Sequence, residues 1–194
     1  MGDGVRIDGE ALLSHDWGRL SRYTIAVRRR SGDWQQQLRE VYDHGNAAAI
    51  LLCDPDRGTV ILARQFRLPV HLNGDDPALI EVCAGLLDGD DPETCARREA
   101  EEESGFRVEA VTHAFDAYMS PGSLTEKLAC FIGLYHEGHR VSEGGGLVHE
   151  GEDIEVLEMP FTTAFGMIAT GGITDAKTIM LLQHAALSGV FERR

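Results

Sequence analysis

The chain has 194 residues, 43% of them hydrophobic, and a formal net charge of −14. That length supports one domain with a full core and a small extension, and the acidic balance excludes the basic footprint that a DNA or RNA partner requires. The longest clear apolar run, residues 47–53, is far too short to span a membrane, and the first six residues lack the basic start and apolar stretch of a signal peptide.

Taken in order, the first forty or so residues differ from the remainder. Tyr23-Thr24-Ile25-Ala26-Val27, within residues 19–29, reads as a strand. Arg30-Ser31-Gly32-Asp33 reads as a turn and residues 34–42 as a second strand. A lone hairpin buries too little to be stable, so this extension needs a surface to pack on, either the main domain or a second subunit. We therefore divide the chain into an extension over residues 1–43 and a main domain over 44–194.

From His44 the pattern becomes sheet core. Residues 46–53 predict a buried strand, 54–58 a turn and 59–66 the returning strand. Residues 68–78 read as a polar loop, and Leu79-Ile80-Glu81-Val82-Cys83 alternates like a strand. After a helix come two strands, 108–118 and 125–135, joined by residues 119–124. A loop over 136–151 carries Gly144-Gly145-Gly146, which could cradle a phosphate but reads better as a flexible hinge, since no Walker-type lysine follows. A short strand at 154–157 and helices near 161–169 and 175–187 complete the chain. Cys53, Cys83, Cys95 and Cys130 show no Cys-x-x-Cys spacing and read as buried thiols in a reducing cytoplasm. This order predicts an α/β fold, a mixed sheet with helices on both faces.

The helix deserves its own reading because the charge concentrates there. Asp91 suits an N-cap, Pro92 the first helical position and Gly105 the left-handed residue just past the end, which predicts a helix over 92–104. Glu99, Glu102 and Glu103 then share one face. Between Asp88 and Glu103 stand eight acidic and two basic residues, a local net of −6. Like charges at this spacing repel, and a divalent cation such as Mg²⁺ would relieve them with its preference for carboxylate oxygen. The alternative is a solvated acidic face, with Glu102 paired to Arg98 four residues earlier.

Residues 98–106, Arg-Glu-Ala-Glu-Glu-Glu-Ser-Gly-Phe, resemble the helical half of the Nudix box. Asp90 falls where the box has its first Glu, and Gly85 precedes it by four residues instead of five, so the loop is one residue short. The resemblance implies the Nudix α/β/α sandwich. Runs at 39–46, 64–67, 83–88, 118–122, 151–158 and 174–178 resemble the nucleotide-sugar and ADP-ribose pyrophosphatase branch, with Pro121 at the branch's proline position. The short loop and the glycine run resemble the members of that branch that act on GDP-mannose. The resemblance therefore implies Mg²⁺-dependent hydrolysis of a nucleoside diphosphate sugar, with Mn²⁺ as a possible substitute. GDP-mannose would give GMP and mannose 1-phosphate; the alternative is ADP-ribose, giving AMP and ribose 5-phosphate. A third reading is a Nudix-fold module that binds a nucleotide sugar without cutting it. The resemblance also implies a homodimer that exchanges the N-terminal hairpin.

By the same match, Glu99, Glu103, Glu152 and the Ala84 carbonyl would hold metal, and Glu102, Glu103 and Glu152 are the catalytic candidates. Arg98 would orient rather than touch substrate. Trp17, Arg39, Arg67, Gly85, Leu86, Glu103, Glu126 and Lys177 are the substrate-binding candidates. Trp17 could stack on a base or anchor the N-terminal arm. The three cations suit phosphate oxygens, Arg bidentately.

Overall fold

The computed structural model describes residues 4–192, the Glu150 side chain excepted, and these fall into two compact units. Residues up to 46 together with 118–127 form the first; 47–117 together with 128 onward form the second.

The first unit is a three-stranded antiparallel sheet, β1 (Val5–His15), β2 (Arg19–Arg28) and β3 (Trp34–Asp43), in that spatial order. The expected hairpin is β2–β3, turning at Gly32, whose φ of +96° suits a residue without Cβ. The expectation of a two-stranded extension is corrected by β1. Its register on β2 slips between Ile7 and Gly9 and again between Leu12 and Ser14. The strand nonetheless carries a period-2 pattern, Val5, Ile7, Ala11 and Leu13 alternating with Arg6, Asp8 and Glu10, and Leu12 is the exception. The turn at 118–127 joins this unit through Tyr42, whose N–H donates to the Ser123 carbonyl while its carbonyl accepts from Thr125 N–H.

The second unit opens with β4 (Ala47–Asp54) and β5 (Thr59–Phe66). A five-residue helix, α1 (Leu68–Leu72), follows where a plain loop was expected, started by Pro69 in its first turn. Then come β6 (Ala78–Glu81), β7 (Cys83–Leu86), α2 (Pro92–Ser104), β8 (Ala110–Tyr118), β9 (Lys127–Leu134), β10 (Glu155–Pro160), α3 (Phe161–Thr170) and α4 (Ala176–Leu187). The sheet runs β10-β5-β4-β9-β8, with β6 on β5 and β7 on β4. It is mixed, because β4 pairs parallel to β9 and antiparallel to β5 and β7.

Every residue of β4 is buried, as a strand covered on both faces must be. Ala48, Ile50 and Leu52 pack in one cluster with Cys95, Ala96 and Ala100 of α2. The alternate residues Ala49, Leu51 and Cys53 point to the opposite face, and α4, with Leu181, Leu182 and Ala185 buried, also packs on β4. The α/β architecture with helices on both faces is thus present. Among the described residues no helix is long and apolar enough to cross a membrane.

One feature of the sheet positions the site. β4 and β5 pair only between Leu52–Asp54 and Thr59–Ile61, then part. β7 takes the freed end of β4 and β6 takes the freed end of β5. The strand expected over 79–83 is therefore two strands, divided at the fully buried Val82. The Val82 N–H, lost to either ladder, donates to Thr178 Oγ1 on α4 at 2.8 Å. Beyond this corner β7 runs into Gly85, which lies beside Glu99 of α2.

Candidate active site

Helix α2 forms as its caps predict. Asp91 accepts hydrogen bonds from the backbone N–H groups of Glu93 and Thr94, and Gly105 takes φ +81° at the other end. The loop before it turns through Asp88, the one described non-glycine residue with positive φ, at +46°, followed by Gly89 at +98°. The shortened loop is tied to the helix. The Leu86 carbonyl accepts from Cys95 Sγ and from Arg98, each at 3.2 Å. Asp90, standing where the box has Glu, lies 3.5 Å from the Arg98 guanidinium.

Glu99 and Glu103 stack one turn apart on the buried side of α2, 7% and 1% exposed. A Cβ on Gly85 would overlap the Glu99 carboxylate, so glycine here makes room for an acid against β7. Glu103 accepts from the Ala84 N–H at 3.2 Å. Burial first, then Arg98, Glu102 and Glu152, leave the Glu99 carboxyl raised to about 7. Burial, with Glu99 and Glu152 adding their charge, raises Glu103 to about 8. Arg98 reaches Glu99 at 2.9 Å and Glu102 at 3.0 Å, so the pairing weighed for Glu102 is present and the Arg bridges two acids.

Glu152 is half-buried at the foot of the 141–154 loop, and its Oε2 accepts from the Leu147 N–H at 2.8 Å. Its charge acts on both Glu99 and Glu103. The glycine run expected to be a flexible hinge is hydrogen-bonded instead: Gly145 and Gly146 donate to the Glu103 and Glu102 carbonyls at 2.9 and 3.1 Å.

The chemistry of this donor set fits a hard divalent cation. Glu152 acts on both Glu99 and Glu103, Glu99 acts on the almost fully buried Glu103, and all three carboxylates offer oxygen. Among the described residues no three His, Cys, Asp or Glu side chains form a ready cage. Mg²⁺ ordinarily takes one or two carboxylates and completes its shell with water and substrate phosphate, so a full cage is not required.

The structure also joins Arg67 and Lys177 in a network around Glu81. Glu81, 1% exposed, accepts two hydrogen bonds from Arg67, at 2.7 and 3.1 Å, and is paired with Lys177. Lys177 also reaches Asp175 at 3.0 Å, and Asp175 accepts from the Thr178 hydroxyl at 2.6 Å. Two of the expected phosphate-binding cations thus have acidic partners inside the protein. Lys177 is 14% exposed at its side chain, while Arg67, at 40%, keeps an open edge. The one legible signal was Glu81 itself, an acid in an apolar alternating run.

Trp17, Arg39 and Glu126 belong to the first unit. Trp17 is 72% exposed and stacks on His44, ring centroids 5.1 Å apart. Arg39 is exposed and donates to the Leu38 carbonyl and to Gln37. Glu126 is half-buried beside Thr125, whose hydroxyl donates to Asp43 at 2.7 Å.

Two family models match. Residues 4–42 match the GDP-mannose pyrophosphatase NudK N-terminal domain, and residues 43–182 match the NUDIX domain. The chain is 50% identical to a GDP-mannose pyrophosphatase of Pectobacterium atrosepticum over 194 residues, the whole of both chains. It is 50% identical to one of Yersinia enterocolitica over 182 residues, 93% of this chain and 94% of that one. A crystal structure of an ADP compounds hydrolase superposes with a TM-score of 0.73, covering 97% of this chain and 95% of the other. At 16% identity that likeness speaks for the fold alone.

Proposed function

The chain belongs to the Nudix family, and on that premise we propose that it is a pyrophosphohydrolase of nucleoside diphosphate sugars, cutting GDP-mannose to GMP and mannose 1-phosphate. The observation that carries the chemistry is the pair Glu99 and Glu103, one turn apart on α2 and both raised by burial, with Glu152 acting on both. Such a set is poorly suited to structure alone, because buried like charges destabilise the fold unless a cation joins them. This is also the reason to prefer an enzyme over a sequestering module.

Glu99, Glu103, Glu152 and the Ala84 carbonyl would hold the cation, Mg²⁺ or Mn²⁺ in its place. When bound, it would neutralise phosphate oxygen and lower the pKa of the attacking water. Glu152 would orient that water and accept its proton, with Glu102 as the neighbouring acid. Arg98 bridges Glu99 and Glu102 and offsets their charge. Gly85 and Leu86 would pass the substrate along β7, with Gly85 keeping the approach to Glu99 open. Arg67 would offer its open edge to a phosphate, and Lys177 would keep Glu81 neutralised. Trp17, Arg39 and Glu126 remain proposed contacts to the base and sugar. The two regions we take as functional are residues 1–43 and 44–194.

We further propose a homodimer through the three-stranded sheet. Ile7, Leu12, Trp34 and Leu38 are exposed there, 65%, 54%, 49% and 60%, which is apolar surface that a second copy would bury. A reducing cytoplasm is the proposed compartment, in keeping with the four unpaired cysteines.

The test is product chromatography after incubation with Mg²⁺ and either GDP-mannose or ADP-ribose. GMP release in preference to AMP is expected. Preferential AMP release would move the chain to the ADP-ribose reading, and neither product with metal bound would leave the binding module.

A further inference from the structure

The last turn of α2 leaves carbonyls with no partner inside the helix. Here the 141–146 segment supplies the donors. Val141 donates to the Gly105 carbonyl at 2.8 Å, Gly145 to Glu103 at 2.9 Å and Gly146 to Glu102 at 3.1 Å. Such close approach of two backbones requires residues without Cβ. A Cβ on Gly144 would meet Ser104 C at 2.5 Å, Glu103 O at 2.6 Å and Gly105 N at 2.8 Å, all backbone atoms that cannot yield. The neck of the loop is closed from the other side by Ile154, whose N–H donates to the Gly145 carbonyl at 3.1 Å. Glu152 is thereby suspended between two points fixed to α2. Its side chain fills the space a Cβ on Gly146 would take: that atom would lie 2.5 Å from Glu152 Oε2 and 2.8 Å from its Cβ.

We infer that Gly144-Gly145-Gly146 is a clasp that sets Glu152 against Glu99 and Glu103, and that Gly146 is a positioning residue acting through Glu152. The inference rests on the metal-site reading above and goes beyond it by assigning the fixed geometry of the acidic set to the glycine run. Glycine is needed at 146 for two separate reasons: φ there is +78°, and the carboxylate occupies the Cβ volume. Gly145 separates them. Its φ is +106°, but a Cβ there would meet only the Ile154 carbonyl, at an ordinary 3.7 Å.

The experiment measures Mn²⁺ binding by calorimetry on the full chain, with melting in EDTA as the check on folding. The variants are Gly146→Ala, Gly145→Ala, Glu152→Gln and Gly146→Ala with Glu152→Gln. Gly146→Asn carries the same Cβ on a residue that tolerates left-handed backbone, and it serves if the Ala variant does not fold. Gly146→Ala and Glu152→Gln are each expected to weaken Mn²⁺ binding on the order of tenfold, the size seen when a group supporting a ligand is lost. The double variant should be no weaker than Glu152→Gln alone, and Gly145→Ala should lower the melting temperature while keeping Mn²⁺ affinity within about twofold. Full additivity in the double variant, unchanged affinity in Gly146→Ala or Glu152→Gln, or an equal loss in Gly145→Ala would each overturn the inference. Failure of the hydrolase reading would show separately, as wild-type protein that binds Mn²⁺ and releases no GMP.

Discussion

Replacing Glu103 by Gln tests the acidic site through stability. In the metal-free protein the Glu103 carboxyl is raised from the usual glutamate value to about 8 by burial, Glu99 and Glu152. A folded-state pKa above the unfolded one means the folded state holds its proton longer. The resulting stability is full below about pH 4.5 and is lost as pH rises to about 8. Between about pH 5.5 and 8 this one group removes about 3 kcal/mol, which for a chain of this size is about 6–12 °C in Tm. Gln keeps the shape and cannot ionise. Melting in EDTA at the two pH values should therefore show a steep fall for the wild type and a shallower one for Glu103→Gln. The fall that remains in the variant belongs largely to Glu99, raised to about 7. Mg²⁺ at the higher pH should restore much of the wild-type Tm and little of the variant's, because the cation binds the ionised form. An equal pH slope in both proteins would refute the picture of Glu103 as a buried, unneutralised acid.

Gly85→Ala pushes the Glu99 carboxylate off β7, and since a misplacement of about 1 Å can cost about 100-fold in rate, turnover should fall by that order while the EDTA melting curve moves little; equal turnover would remove Glu99 from the site. Thr178→Val strands the buried Val82 N–H and should cost about 1–3 kcal/mol in urea unfolding, with Thr178→Ser recovering most of it. Leu38→Lys places a charge on the apolar sheet surface and should shift the protein toward monomer in sedimentation; an unchanged association state would count against that sheet as the interface.

Much of this protein was fixed locally and so could be read directly. Helix α2 begins and ends where Asp91, Pro92 and Gly105 dictate, because caps act within a few residues of themselves. The face shared by Glu99, Glu102 and Glu103 follows from helical period alone, and the burial of β4 follows from its unbroken apolar run. The first strand was legible in the alternation of Val5, Ile7, Ala11 and Leu13 with Arg6, Asp8 and Glu10, whereas the corner at Val82 escaped because an N–H leaving a ladder has no sequence signature. What only the tertiary structure decided is which charges meet. Glu81 draws Arg67 and Lys177 inward across 14 and 96 residues of chain, and a glycine run that reads as a hinge becomes, once laid on the end of α2, the neck that holds Glu152. Long-range pairing of this kind depends on the closed fold, where desolvation makes a partner obligatory, and a linear pattern of residues carries no record of it.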